Sequence, residues 1–437
     1  MLYALTLPLV GAFLAGSAPI APPANARSSV VMAETKHVAV GVIGTGLVGG
    51  ELLKQIEEYG PALKKQGVEL TVASISKTRM TDGERKPWML CEEGECTLDY
   101  VEEKIKDPAA GEEGDFLKMA DFLKSVSPHA IMVDATASEA VSDYYPKWLA
   151  KGVHVVTPNK KAGSGDLARW KECTAAMEAT GAMWGDETTV GAGLPILNVL
   201  RTDLLATGDK VKTIEGIFSG TLSYIFNTYK PGMKFSDVID DAKVLIAIAL
   251  FPHFQRRCAG PLIAFLCLTH AIPQVKGFTE PDPRDDLSGT DVARKVTILA
   301  RACGVEVDLD DVPVSSLVPS ALEDWMPAEG EVMADAFIEQ MKAYDDEKDA
   351  LIKSAEDNGM VLRFVGVVDV DSKKVSVELR EYPKTHPFAG TQFADNICAF
   401  STERYAPQPL VIQGPGAGAA VTAAGIFADV IKVAKAS

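Results

Sequence analysis

"VAVGVIGTGLVGGELLKQIEEYG", residues 38–60, decides the fold. The apolar run from Val38 to Ile43 ends in glycines, so it reads as a short buried strand, and the segment from Gly49 to Gly60 is helical. Between them, Gly44-Thr45-Gly46-Leu47-Val48-Gly49 fits GxGxxG in the strand–turn–helix setting that a dinucleotide-binding turn requires. Glycines let backbone approach a pyrophosphate, and the helix N-terminus offers free N–H groups and a positive dipole end. A purely structural tight turn would meet the same spacing.

Working outward, residues 69–76, 130–136 and 153–158 are further β-rich runs. Helical stretches at 138–152 and 164–181 alternate with them. That rhythm predicts an α/β fold, a parallel sheet covered on both faces. After about residue 190 the rhythm changes. Residues 361–383 alternate at period two around Asp371-Ser372, an antiparallel hairpin that predicts a second, α+β domain. The glycine-rich "GPGAGAA" and the amphipathic helix "VTAAGIFADVIKVAKA" end the chain.

The end of the second strand, Ser74 to Arg79, has no acid for the ribose hydroxyls that an NAD site usually binds. It has Lys77 and Arg79, which suit a 2′-phosphate and favour NADP(H), with NAD possible. Otherwise these two are solvated loop charges.

At 437 residues, 47% apolar and 24% charged, the chain has material for two or three domains with sizeable cores. Its net charge of −17 argues against nucleic acid or an anionic membrane as partner. The seven cysteines form no CxxC pair and no metal-like spacing, which suggests a reducing compartment and inert thiols. Leu2 to Leu14 has the length of a signal-peptide core, and Ala24-Asn25-Ala26 is a small-residue cleavage option, although no basic region precedes it. Residues 1–34 therefore read as a targeting leader.

"GFTEPDPRDDLSGTDVARK" (277–295) concentrates acids ahead of one lysine. Pro281 and Pro283 predict that Glu280, Asp285 and Asp286 sit on a stiff loop. From Gly289 a helix is predicted, with Val292, Val296 and Leu299 on one face and Asp291 and Lys295 one turn apart. Such a pair is either a surface ion pair or a substrate site. In the second case the acids bind an ammonium group, and Lys295, its charged form favoured by carboxylates, donates a proton to a developing alkoxide. "TPNKKAGSG" (157–165) puts Lys160 just past a strand end, where ligands of open α/β sheets lie. "GDETTVGAGLPILN" (185–198) joins a carboxylate to a turn whose carbonyls could serve a hard cation. "GIFSGTLSYIFN" (216–227) offers hydroxyls beside a glycine.

Taken together these segments, with "VIGTGLVGG", "VDATAS" and "GPGAGAAVTAAGIFADV", resemble homoserine dehydrogenase from about Val38 to the C-terminus. The resemblance implies reversible, NAD(P)-linked interconversion of L-homoserine and L-aspartate 4-semialdehyde, on the route to threonine, methionine and isoleucine. It implies Lys295 as proton donor and Lys160 as its assistant at the cofactor and the reacting carbonyl. Glu280, Asp291, Asp285, Asp286 and the turn Gly220, Thr221, Ser223 and Tyr224 would bind the amino acid. Thr136 and Gly418 would touch the cofactor, so the C-terminal helix should return to the dinucleotide domain. Glu187, with the carbonyls of Val190, Ala192 and Leu194, would hold a monovalent cation, sodium in the family. A homodimer is also implied, and amino-acid biosynthesis of this type together with the N-terminal leader suggests a plastid, the cytoplasm being the alternative. Phe278 stands where many members have tyrosine. No aspartate kinase segment is expected before residue 38 and no regulatory domain after 437, so threonine feedback through such a domain is not expected.

The boundaries follow: a Rossmann-type domain at 35–188 completed by 408–437, and a substrate and dimerisation domain at 189–407. One segment breaks the pattern. The family signature has alanine four residues before the glycine of "GFTEP", where this chain has Pro273. Removing the 31 residues 245–275 brings Ala242 into that place. The segment reads as a retained intron, a loop insertion, or a membrane hairpin whose halves are short of a span. Two rival functions are an insert-inactivated dinucleotide-binding protein and another semialdehyde oxidoreductase such as aspartate-semialdehyde dehydrogenase. The latter needs a cysteine nucleophile beside a histidine, which no segment supplies.

Overall fold

Strand β1 (Lys36–Ile43) sends alternate side chains to opposite faces, as a pleated strand must. Val38, Val40 and Val42 join one buried cluster with Leu52, Leu53 and Ile56. Ala39 and Ile43 join another with Met119, Leu123, Tyr145 and Trp148. The strand is therefore buried on both faces, which explains its unbroken apolar run. The computed structural model describes residues 35–81, 84–94, 96–107, 109–249 and 282–436.

Around β1 are built β2 (Val68–Thr81), β3 (Glu84–Cys91), β4 (Glu112–Glu113), β5 (His129–Asp134), β6 (His154–Val156) and β7 (Trp184–Gly185). Their order is β4-β3-β2-β1-β5-β6-β7. β2, β1, β5, β6 and β7 run parallel, as expected. The sheet is not wholly parallel, however. β2 continues past Ser76 and folds back antiparallel onto β3, with Thr81 opposite Glu84. Asp82-Gly83 between them is a hairpin sequence that a reading of longer periods passes over. The link after the glycine turn is helical as far as Lys64, past the expected end at Gly60: Leu47–Lys64 runs through Pro61.

A second, antiparallel sheet has β8 (Val211–Ile217), β9 (Met360–Asp369), β10 (Lys374–Pro383), β11 (Asp395–Thr402) and β12 (Leu410–Pro415), in the order β10-β9-β8-β11-β12. β9 and β10 form the predicted hairpin. One face packs Phe364, Val368, Val377 and Phe400 against Val292, Val296 and Leu299 of helix Thr290–Ala302. The stretch 408–437 divides, because β12 stays in the second sheet while helix Ala419–Ala436 returns to the first. That helix buries Ala423, Ile426, Val430 and Val433 there, positions three or four apart on one face. Burying each of its larger side chains contributes roughly 1.5–3 kcal/mol.

Helix Thr290–Ala302 ties the two sheets together. Arg301, 2% exposed, donates to the carbonyls of Gly163 (2.8 Å) and Gly165 (2.7 Å), just past β6. Among the described residues no helix is long and apolar enough to cross a membrane. Residues 1–34 and most of 245–275 lie outside the described residues; helix Phe235–Ala249 covers the first five positions of the suspected insert.

Candidate active site

Two glycines of the turn after β1 are dictated by space. Gly44 has φ +88°, and a methyl on Gly49 would lie 1.9 Å from the Gly44 carbonyl oxygen. Gly46 differs: a methyl there would meet nothing within 4 Å, so its turn opens outward. Gly46 caps helix Leu47–Lys64 without any side-chain hydrogen bond, and no acid occupies the first turn. The helix start therefore keeps unpaired N–H groups and a positive end. Thr45 Oγ1 is buried without a partner. Leu47 is exposed and Val48 half-buried at the mouth. An uncapped, glycine-lined helix start beside an unsatisfied hydroxyl fits the phosphates of a dinucleotide.

Thr136 closes this turn from β5, its Cγ2 2.8 Å from where a Gly44 Cβ would be. Asp134 sets it in place: one carboxylate oxygen accepts the Thr136 N–H (2.9 Å), and the other accepts Tyr145 OH (2.6 Å) and Asn159 Nδ2 (2.8 Å). The same network fixes the chain ahead of Lys160. Sequence reasoning passed over Asp134, Tyr145 and Asn159, because their partners are far along the chain.

Lys77 lies just past Ser76, whose carbonyl accepts from Gly44 N–H (2.7 Å), so it borders the glycine turn. Its ammonium pairs with Glu102 at 2.5 Å. Arg79 is two residues further out and donates to the carbonyls of Asp107 (3.0 Å) and Ala110 (3.3 Å). These cations are partly engaged by the protein rather than simply solvated.

Where the sheets meet, Lys160, Asp291 and Lys295 converge. Lys295 Nζ is 2.8 Å from Asp291 Oδ2, and Lys160 Nζ is 3.3 Å from Oδ1. Lys295 is 7% exposed and also donates to the Phe218 carbonyl at 2.6 Å. The expectation that carboxylates would favour its charged form is corrected here. Burial outweighs the pull of Asp291, and Lys160 adds repulsion, so the ammonium loses its proton more readily than usual. Burial alone would push the Asp291 carboxyl up, but the two ammonium groups hold it well below the usual range. A buried lysine whose proton is held less tightly than usual can pass that proton to an oxygen and take it back.

The other acids are distributed differently from the expected loop. Pro283–Leu287 is a short helix capped by Asp282, whose side chain accepts from Arg284 N–H, and Asp285 and Asp286 occupy its first turn. Proline there is compatible with a helix because the first positions need no N–H. Asp286 accepts from Thr221 Oγ1 (3.2 Å) and its charge reaches Lys295. Asp285 is exposed. Glu280 lies outside the described residues. Gly220, Thr221, Ser223 and Tyr224 open helix Gly220–Thr228 nearby, but Ser223 is buried and its hydroxyl is committed to the Asp395 carbonyl (2.7 Å). Gly418, φ +130°, precedes the returning helix.

Glu187 accepts from the N–H groups of Leu197 (2.8 Å) and Asn198 (2.6 Å), and its own N–H donates to Asp429 (3.0 Å). Burial and the Asp429 charge push its carboxyl up to about 7. Burial, with Asp186 adding repulsion, pushes Asp429 up to about 6. Beside them Val190, Gly191 (φ +80°), Ala192 (φ +55°) and Leu194 form a tight turn. Among the described residues no three His, Cys, Asp or Glu side chains are grouped to hold a metal; a cation here would rest mainly on carbonyls. Burial pushes the thiols of Cys91 to about 11 and of Cys173 and Cys303 to about 12, which leaves them poor nucleophiles.

Two family models match the chain. "Homoserine dehydrogenase, NAD binding domain" covers 44–185, and "Homoserine dehydrogenase" covers 195–247 and 268–431, breaking off inside the suspected insert. The chain is 44% identical over 400 residues to the chloroplastic bifunctional aspartokinase/homoserine dehydrogenase 1 of Arabidopsis thaliana, covering 91% of this chain but 39% of that protein's length. It is 40% identical over 410 residues to the homoserine dehydrogenase of Schizosaccharomyces pombe, covering 92% of this chain and 96% of that one. A Candida auris crystal structure of unknown function superposes with TM-score 0.75 at 36% identity, covering 92% and 99%. A hyperthermophilic archaeal homoserine dehydrogenase in complex with NADPH shares the fold, with TM-score 0.60 and 22% identity over 92% and 98%.

Proposed function

The chain belongs to the homoserine dehydrogenase family, and we propose that it reversibly reduces L-aspartate 4-semialdehyde to L-homoserine with NADP(H), NAD being the lesser alternative. The observation that carries this is Lys295: a buried lysine paired with Asp291 and faced by Lys160, whose approach is fixed by the same Asp134 network that holds Thr136 at the uncapped glycine turn. When bound, the nicotinamide cofactor supplies or accepts the hydride. The turn Gly44–Gly49 and Thr136 hold the phosphate end, and Lys77 and Arg79 face the 2′-phosphate. Gly418 borders the cofactor at the start of the returning helix.

In the reductive direction Lys295 Nζ gives its proton to the developing alkoxide, and in the oxidative direction it takes that proton back. Lys160 lends positive charge at the same carbonyl. Asp291, Asp286 and Glu280 bind the ammonium end of the amino acid, with the helix start at Gly220 and Thr221 beside Asp286. Burial raises the thiols of Cys91, Cys173, Cys303 and Cys398, which disfavours a thioester route through them.

We propose in addition that Glu187 and the carbonyls of Val190, Ala192 and Leu194 hold a monovalent cation, sodium by the family resemblance, and that the protein works as a homodimer. Residues 1–34, rich in Ala, Pro and Ser after an apolar run, support a plastid destination, in keeping with the chloroplastic relative. Residues 245–275 are read as extraneous to the catalytic fold, supported by the break in the family match.

The test is homoserine-dependent reduction of NADP+ by purified protein, with and without residues 245–275. Activity in neither form would sink the assignment. A peptide in the native protein joining Val244 to Lys276 would remove the insert from the working chain.

A further inference from the structure

The Phe218 carbonyl, just past β8, accepts two donors: Lys295 Nζ at 2.6 Å and Asn396 Nδ2 at 3.2 Å. A carbonyl has no proton to offer, so the nitrogen side of the Asn396 amide must face it. The other side of that amide is costly. Asn396 is 0% exposed and its Oδ1 is buried without a partner. A hydrocarbon side chain of similar shape would avoid that cost, so the amide is retained for its donor side.

The surroundings are shaped to it. Asn396 lies on β11 opposite Gly414 of β12, and a methyl on Gly416 would fall 2.1 Å from its Cγ and Nδ2. β11 pairs with β8 through Ile397 and Ile217, which brings Asn396 to the end of the ladder where Phe218 leaves it. Lys295 itself is carried by a helix on a long, flexible stem. Its own helix supplies one anchor, Asp291. The second anchor is a backbone oxygen of the sheet, and that oxygen is held by Asn396.

We propose that Asn396 is a positioning residue for Lys295. By fixing the Phe218 carbonyl from the neighbouring strand, it sets where the lysine Nζ stands, and Gly416 is glycine to admit the amide. This inference rests on the proposed function. The groups facing Lys295 are Asp291, Asp286 and Lys160. Asn396→Asp keeps the shape and, once ionised, removes the donor and adds an anion about 6 Å or less from Nζ.

The experiment compares wild type, Asn396→Asp, Asn396→Ala and Gly416→Ala in homoserine oxidation across pH, with NADPH affinity by fluorescence and thermal melts to confirm folding. A displaced proton-transfer group predicts that Asn396→Ala and Gly416→Ala lose about 10–100-fold in kcat, with NADPH affinity within about twofold. In Asn396→Asp the added anion favours the ammonium, so the acid limb of the oxidation profile moves up by about one pH unit. A folded Asn396→Asp with wild-type kcat and profile would overturn the proposal, as would a loss confined to NADPH affinity. If Asn396→Ala fails to fold, the isosteric Asn396→Asp decides. Inactive wild type overturns the function and this role with it; active wild type with unaltered variants overturns only this role.

Discussion

Lys295 and Asp291 stand one helical turn apart, Nζ 2.8 Å from Oδ2, the lysine buried and the aspartate half-buried. The ion pair is thus partly withdrawn from water, unlike a surface pair, which contributes little. Lys295→Ala is expected to lower kcat by about 10²–10⁴-fold, the span of general acid–base catalysis. NADPH affinity should stay within about twofold, since the partners of the lysine are Asp291 and the Phe218 carbonyl and not the glycine turn. Steady-state kinetics with fluorescence titration checks this; a change in KM alone would mean that Lys295 only binds.

Asp291→Asn removes the charge that both lysines share. Lys295, already deprotonating more readily through burial, then loses its main support and faces Lys160 unscreened. Its proton is held less tightly, so the acid limb of homoserine oxidation should move to lower pH, by about one unit or more. The KM for homoserine should rise as well if Asp291 meets the substrate ammonium. A kcat profile between pH 5 and 10 decides; an unmoved acid limb would separate Asp291 from the proton transfer.

The glycine turn separates fold from ligand. A methyl on Gly46 meets nothing, whereas one on Gly49 would lie 1.9 Å from Gly44 O. Gly46→Ala is expected to melt within about 2 °C of wild type while binding NADPH at least about tenfold more weakly, because only the bound phosphate would meet the methyl. Gly49→Ala should lower stability itself, by roughly 1–3 kcal/mol for an overpacked site. Differential scanning fluorimetry with and without NADPH reads both.

Much of this was legible in the chain. Val38 to Ile43 is apolar because both faces of β1 are covered, and the period-two pattern of 361–383 survives as a hairpin. Asp291 and Lys295 fall one turn apart because helix geometry alone puts them there. What stayed hidden depends on partners distant in sequence or on backbone atoms. Nothing in "GIFSG" marks the Phe218 carbonyl as a lysine acceptor, and Asn396 is 178 residues from it. The direction of the Lys295 shift was misread for a related reason: counting nearby acids shows attraction, whereas burial is a property of the folded core. The loop expected around Pro283 was a helix start, since proline at a first turn looks the same in sequence as proline in a stiff loop.

Cofactor preference should follow Lys77 and Arg79. Lys77 pairs with Glu102 and Arg79 with two carbonyls, so each must exchange or share a partner to meet a 2′-phosphate. A charge-assisted hydrogen bond is worth about 1.5–3 kcal/mol. Lys77→Ala and Arg79→Ala are each expected to lower kcat/KM for NADP+ by about tenfold or more, with kcat/KM for NAD+ nearly unchanged. Equal losses with both cofactors would return these residues to a structural role.

Sodium dependence should show as a pH-dependent stability. Glu187 and Asp429 have carboxyls raised in the fold to about 7 and about 6, from ordinary values of 4.5 and 3.8. A carboxyl raised on folding contributes no penalty while protonated, below its unfolded value. It costs stability as pH climbs through its folded value. For Glu187 the shift corresponds to on the order of 3 kcal/mol, fully felt above about pH 8. A cation on the Val190–Leu194 carbonyls would offset that cost by neutralising the pair. In choline chloride the melting temperature should therefore fall between pH 5 and 8, and sodium chloride at equal ionic strength should recover it. Glu187→Gln should remove the Glu187 part of the profile, leaving only the fall set by Asp429, and should shrink the sodium advantage, because the amide carries no charge to neutralise. Matched melts in the two salts at pH 8 give the answer: wild type melting at the same temperature in both would leave the carbonyl turn without a cation.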